Sequence, residues 1–289
     1  MTGSAHKPRR KPKTPVALRL IRWCFQRVGP ALPALMSRWA YRLWFSTHRY
    51  PAPAREQKLI KSATPFSVKS EGRDIQAWHW GQQGPLVLLV HGWNGRGAQL
   101  GSFVPALLKR GYQVVTFDAP GHGKTSGKNT TAFEITAAIL AINEARGPLH
   151  AVITHSFGGA CAAMAISRGL HVDRAVFIAP PATLEGMADA FASFIKMPDA
   201  VTLYFNRRLE TEFGKNIWES ISPENIVRQF KIPGLIIHDQ DDYDVPWQSG
   251  ERVSNAWPNA GFYKTTGLGH RRILRDKTVI DRAIDFIAS

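Results

Sequence analysis

The residues of this 289-residue chain best suited to chemistry fall in three short, widely separated segments. Thr154-His155-Ser156-Phe157-Gly158-Gly159 sets a serine hydroxyl among small neighbours. His238-Asp239-Gln240-Asp241-Asp242-Tyr243-Asp244-Val245-Pro246 crowds four aspartates into residues 239–244. Gly267-Leu268-Gly269-His270 places an imidazole behind two glycines. A serine hydroxyl is a weak nucleophile at neutral pH. It becomes effective when an imidazole takes its proton and a carboxylate orients that imidazole. Candidates for all three groups are present, so acyl transfer through a covalent intermediate is within reach.

Groups so far apart act together only if the fold gathers them. The continuous apolar runs Leu86–Val90, Val114–Phe117, Ala151–Ile153, Ala175–Ile178 and Leu235–Ile237 read as strands covered on both faces. Helical stretches near residues 100–110, 131–146 and 157–169 separate several of them. This alternation predicts an α/β fold with a mostly parallel central sheet and helices on both faces. Phe66–Val68 and Ile75–Trp80 read as a hairpin turning at Glu71-Gly72. Ser156 then falls between a strand and a helix of small residues, although a serine in that place also serves as a plain helix N-cap. Residues 182–230 are too long for a simple crossover and rich in aromatics, including Phe191, Phe194, Tyr204, Phe205, Phe213 and Trp218. They predict a small helical cap insertion.

These segments and their order resemble the α/β-hydrolase superfamily over residues 65–289, which implies the α/β-hydrolase fold. In that pattern Ser156 is the nucleophile of a Gly-x-Ser-x-Gly turn, with Thr154 in place of the first glycine. Laying the strand-end pattern His-Gly-x-x-Asp-x-x-Val-Pro on residues 238–246 makes Asp242 the acid, with Asp244 as the alternative. Asp239 stands where the glycine is usual, and it and Asp241 read as solvated turn residues. His270 is the base. His91-Gly92-Trp93 resembles the oxyanion loop, so the backbone N–H groups of Trp93 and Phe157 are the expected oxyanion donors. His91 itself reads as a structural hydrogen-bonder. Arg96 is left open between solvent and a substrate carboxylate, while Arg271 and Arg272 are expected to face solvent.

Asp118-Ala119-Pro120-Gly121-His122-Gly123-Lys124-Thr125-Ser126 matches another loop of the superfamily; its spacing is wrong for a phosphate loop. The resemblance implies a serine hydrolase of carboxylic esters, esterase- or lysophospholipase-like, on apolar substrates. Thioesters, amides and acyl transfer remain open to the same machinery. The departures at Thr154 and Asp239 motivate a contrary reading, a non-catalytic hydrolase fold acting as a binding or scaffold protein at a membrane surface. No zinc or dinucleotide pattern is present, so neither metal nor cofactor is expected.

The formal net charge is +15, and its distribution is uneven. Residues 1–50 hold eleven Lys or Arg and no Asp or Glu, leaving +4 for the other 239 residues. Residues 1–15 are expected to be a disordered basic tail, and residues 16–60 a basic amphipathic helical extension. One apolar stripe runs through Leu20, Ile21, Cys24 and Val28. A second runs through Leu35, Met36, Trp39, Ala40, Leu43 and Trp44. The extension has three readings: contact with an anionic membrane surface through residues 16–50, packing on the hydrolase body with Arg outward, or nucleic-acid binding. The last lacks any motif and is not expected.

No apolar run reaches membrane-spanning length, and Arg19, Arg22 and Arg27 interrupt the core that a signal peptide needs. Cys24 and Cys161 form no disulfide framework, and Cys161 reads as a packed thiol. The expectation is a cytoplasmic protein, peripheral at the inner membrane face if the first reading of the extension holds.

Overall fold

The structure, a computed structural model, describes residues 15–289. The basic tail expected over residues 1–15 therefore lies, up to residue 14, outside the described residues. The chain forms two compact units.

The larger unit, residues 45–187 and 213–289, is built on an eight-stranded sheet. Its strands are β1 (Thr64–Ser70), β2 (Arg73–Trp80), β3 (Leu86–Val90), β4 (Gln113–Phe117), β5 (Leu149–His155), β6 (Arg174–Ile178), β7 (Gly234–Asp239) and β8 (Ala260–Thr265). They lie in the order β1-β2-β4-β3-β5-β6-β7-β8. β1 and β2 form an antiparallel hairpin, and β2 pairs antiparallel with β4. Every pairing from β4 to β8 is parallel. The hairpin turns at Glu71 (φ 45°) and Gly72 (φ 73°), the left-handed pair that a two-residue turn requires.

β3 is buried at all five positions, as its unbroken Leu and Val run demands of a strand covered on both faces. β8 was not among the expected strands. It is the edge strand, none of its residues is fully buried, and Gly261 and Lys264 break its apolar pattern. Parallel strands share one direction, so His91, Asp118, Ser156 and the loop after Asp239 all emerge at one end of the sheet. That end is where open α/β sheets bind ligands.

The smaller unit contains α1 (Val16–Val28) and most of α2 (Pro33–Phe45), the N-terminal pair. With them stand Ala188–Glu212, which carry much of the α-helices Leu184–Ile195 and Asp199–Phe213. The basic extension thus packs with the helices of the insertion. Phe25 of α1 stacks on Trp39 of α2 at 5.2 Å between centroids. Trp44 meets Phe191 and Phe205 edge-on at 5.1 and 5.8 Å. Gly29 ends α1 against Pro198 and Val201, where an added Cβ would fall 3.0 and 3.2 Å from their side chains. The buried face of α1 centres on Phe25, which is wholly enclosed. Of the expected stripe, Ile21, Cys24 and Val28 are half-buried beside it, while Leu20 is 60% exposed.

Candidate active site

Ser156 is the single residue between β5, which ends at His155, and the helix Phe157–Ser167. Its φ of 53° and ψ of −128° put a non-glycine residue in strained backbone, the conformation of a sharp strand-to-helix turn. Local hydrogen bonds hold that turn. The Ser156 N–H donates to the Ile178 carbonyl at 2.8 Å, and the Gly159 N–H donates to the Ser156 carbonyl at 2.9 Å. Crowding explains the glycines. A Cβ on Gly158 would lie 2.6 Å from the His91 carbonyl oxygen, and one on Gly92 would lie 2.9 Å from Ser156 Cβ.

Thr154, the departure from the usual glycine, is fully buried and donates its hydroxyl to the Val176 carbonyl at 3.3 Å. The space its side chain needs is left by Gly159, whose Cβ would come within 3.3 Å of Thr154 Oγ1. The hydroxyl of Ser156 therefore does not act as a helix cap; no side-chain cap bond is made at that helix start.

Asp242 and His270 meet, with Nδ1 to Oδ2 at 2.7 Å. The Asp242 carboxylate is enclosed, and its other oxygen accepts the Asp244 and Val245 N–H groups at 2.9 Å each. Burial alone would raise its pKa. Hydrogen bonding from His238 and His270 and the Val245 N–H outweighs burial and holds the carboxyl well below the usual range. The group stays ionised and holds His270 through Nδ1, leaving Nε2 as the ring nitrogen without this partner.

His155 ties the base to the serine turn. Its Nε2–H donates to the His270 carbonyl at 2.8 Å, and the two rings lie 4.5 Å apart. Ser156 Oγ and His270 Nε2 are not hydrogen-bonded to each other; such contacts commonly tighten only around a substrate.

The loop that delivers His270 is held by a residue that the sequence reading misplaced. Asp239 was expected as a solvated turn residue, yet it is wholly buried. It accepts the Thr265 hydroxyl at 2.7 Å and the Gly269, Leu268 and Asp241 N–H groups at 2.8, 3.1 and 3.0 Å. Burial pushes its pKa up, but these four donors prevail and hold it below the ordinary value. Asp241 Oδ2 accepts the Gly267 N–H at 2.7 Å. The signal was visible: an aspartate at the end of an apolar strand is placed to be buried. Asp244, the alternative acid, is exposed and contributes only its N–H to Asp242.

Across the turn, the loop after β3 presents Trp93, whose ring packs edge-on to Phe157 at 5.4 Å and to His122 at 5.6 Å. No acceptor among the described residues takes the Trp93 or Phe157 N–H. Neutral histidines stitch this loop in place. His91 donates from Nδ1 to the Gly92 carbonyl at 2.7 Å and accepts the Ala119 N–H at Nε2 at 3.0 Å. His122 donates to the Pro120 carbonyl and accepts the Asn94 N–H, both at 3.0 Å. Asp118 accepts the Gly97 and Lys124 N–H groups at 2.7 and 2.6 Å. The Asp118–Ser126 segment is thus a buttress for the loop after β3.

Burial pushes His91 down to about 4. Burial, then the neighbouring His91, pushes His122 down to about 3. Both rings are occupied and neutral, so His91 is structural. Arg96 pairs with the buried Glu56 and donates to the Tyr50 carbonyl, which spends it on the scaffold. Arg271 and Arg272 are exposed, and Arg272 donates to the Gly267 carbonyl. Burial drives the Cys161 thiol up, so it is a packed side chain without nucleophilic character. Among the described residues no group of three or more His, Cys, Asp or Glu is arranged to hold a metal ion.

Known proteins resemble this chain in sequence or fold. The Escherichia coli protein YfhR is 27% identical over 215 residues, 67% of this chain and 70% of that protein. Protein phosphatase methylesterase 1 of Bos taurus is 28% identical over 129 residues, 41% of this chain. That match spans only 34% of the methylesterase, and the matches to the Mus musculus methylesterase and to a non-heme haloperoxidase of Rhodococcus erythropolis span 31 and 39% of those proteins. An esterase of Pyrococcus furiosus superposes with a TM-score of 0.64 at 20% identity, covering 84% of this chain and 97% of its own. An esterase of Rhodococcus sp. gives 0.62 at 18%, covering 79% and 99%. These two show a common fold. A family model matches residues 87–282, which include the strained serine turn, the buried aspartate and the histidine it holds: the chain belongs to the alpha/beta hydrolase family.

Proposed function

We propose that the protein is a serine hydrolase cleaving carboxylic esters that carry an apolar acyl or alcohol group. The observation that carries this reading is the 2.7 Å contact between Asp242 and His270, delivered beside a serine held at positive φ. Ser156 Oγ attacks the carbonyl carbon while His270 Nε2 takes its proton. The tetrahedral oxygen gathers negative charge and is held by the Trp93 and Phe157 N–H groups, donors that are otherwise unspent. One such donor is worth about 3 kcal/mol of transition-state stabilisation. His270 then protonates the leaving alkoxide, and the alcohol departs. Water, deprotonated by the same imidazole, cleaves the acyl-enzyme and returns Ser156. Asp242 remains a carboxylate throughout and stabilises the imidazolium.

The Trp93 and Phe157 rings beside the two donors favour an apolar substrate surface. The esterase neighbours, at their identity, speak for the fold alone, so the choice of an apolar substrate rests on these rings. The scaffold reading rested on Thr154 and Asp239. Thr154 has its hydroxyl partnered and its volume accommodated, and Asp239 has a place in carrying the base, so neither departure argues against catalysis. The test is hydrolysis of p-nitrophenyl esters of increasing acyl length by wild type and Ser156→Ala. Turnover that rises with acyl length and is lost in the variant supports the proposal; equal rates in both proteins contradict it.

A further inference from the structure

α1 carries one broad apolar arc, and packing within its own unit uses only part of it. At about 100° per residue, Phe25 points opposite Val16, while Leu20 and Trp23 lie within about 40° of Val16. The Phe25 side is buried, flanked by half-buried Leu18, Ile21 and Val28, and Arg22 beside it donates to the Phe194 carbonyl at 2.7 Å. On the opposite side Val16, Leu20 and Trp23 are 78, 60 and 56% exposed. Their spacing, i, i+4, i+7, makes one continuous stripe. Arg19 and Arg27, both exposed, border it. Leu35 of α2 is also exposed, with exposed Arg38 three residues on.

The chain leading into this stripe has its own charge. Residues 1–14 contain Lys7, Arg9, Arg10, Lys11 and Lys13 and no acidic residue. They join α1 at the end where Val16 stands. Apolar side chains bordered by arginines and preceded by a basic segment have the composition of an interfacial helix: the stripe enters the acyl boundary and the cations meet anionic headgroups.

We propose that the Val16–Leu20–Trp23 face of α1 docks on an anionic lipid surface, with residues 1–14 supplying long-range attraction. Charge selects this occupant. A second copy would bring eleven like charges of one N-terminal region against eleven of another. A nucleic acid would satisfy the cations but leave Val16 and Leu20 in water. No helix among the described residues is long and apolar enough to cross a membrane. The face therefore lies on the bilayer and does not span it.

The test uses the full chain and sedimentation with vesicles of phosphatidylcholine, alone or with about 30 mol % phosphatidylglycerol. Wild type is expected to sediment with the anionic vesicles, less so in high salt, and to stay in solution with the neutral ones. Leu20→Glu/Trp23→Glu is expected to lower the partition coefficient at least about tenfold. Its circular dichroism, and its turnover of a water-soluble ester if the site is catalytic, should be unchanged, because both side chains are exposed. Four results would overturn the proposal. They are no sedimentation of wild type, equal binding to neutral vesicles, undiminished binding by the double variant, or a dimer lost in that variant without vesicle binding. Tighter binding to duplex DNA than to vesicles would assign the charge to another partner.

Discussion

Ser156 sits at positive φ because the chain must pass from a strand to a helix within one residue, and the residues around it are chosen for space. That gives two substitutions with costs of different size. A methyl on Gly158 meets two backbone oxygens, His91 O at 2.6 Å and Val90 O at 2.8 Å, and neither can move without shifting β3. Gly158→Ala is expected to lower the thermal midpoint sharply or to abolish folded protein, an effect above about 3 kcal/mol. A methyl on Gly159 has its nearest atoms at 3.3–3.5 Å, two of them on side chains of Thr154 and Pro180. Gly159→Ala should cost about 1–2 kcal/mol by overpacking. Thermal unfolding of the two proteins checks the order.

For Asp242→Asn the expectation is kinetic. The amide cannot stabilise the imidazolium and favours the wrong tautomer, so kcat should fall about 10³–10⁴-fold. Ser156 and His270 stood out as candidate nucleophile and base from residue type and order. Asp242, the carboxylate that meets His270, could be chosen only when the strand-end pattern was laid on the sequence, because four aspartates in six positions offer no other way to choose.

At the scale of elements, the decisive one is the loop from Thr265 to His270, which has little packing of its own and depends on Asp239. Removing that carboxylate's charge while keeping its shape should loosen the base without touching the substrate. Asp239→Asn is therefore expected to lower kcat by about ten- to a hundredfold with KM nearly unchanged. Thr265→Val, which removes one of four donors, should have a smaller effect in the same direction. Steady-state kinetics on one activated ester measures both; a rise in KM at constant kcat would contradict the positioning role.

The buried strands were legible because each is an apolar run bounded by turn residues. β8 was not, since an edge strand without fully buried positions has little hydrophobic signal to give. On α1 the stripe was placed through Leu20, Ile21, Cys24 and Val28; the last three are half-buried, Leu20 is exposed, and burial centres on Phe25. The apolar arc of this helix is broad, running from Trp23 through Leu20, Cys24 and Val28 to Phe25, so periodicity finds the arc but does not say which part of it is covered.

For the molecule as a whole, charge and pH carry the consequences. His91, His122 and His155 are buried, and His91 is held down to about 4 and the other two to about 3, burial being the largest cause for each. In the unfolded chain a histidine titrates near 6.5. Between those values the unfolded state binds more protons than the folded one, so stability rises with pH. Stability from these rings is complete above about pH 6.5 and drains away as pH falls toward about 4 and then 3. Each contributes a slope of up to about 1.4 kcal/mol per pH unit. Asp242, with its lowered pKa, adds a further loss that begins only below about pH 4. Chemical denaturation from pH 7 to 4 should show this decline, and His122→Gln should flatten it; a pH-independent midpoint would refute the neutral, buried assignment.

The uneven charge was plain in the sequence, but the partner of the basic helices was not. Residues 16–44 and 188–212 are separated by the first six strands, and nothing in either segment's periodicity names the other.

The central claim, that Ser156 is an activated nucleophile, is tested most directly by intact-mass analysis after exposure to a fluorophosphonate. One adduct per chain, mapping to the peptide that holds Ser156 and absent from Ser156→Ala and His270→Ala, is the predicted result. A folded protein that takes up no label, or takes it up equally when Ser156 is alanine, would contradict the account.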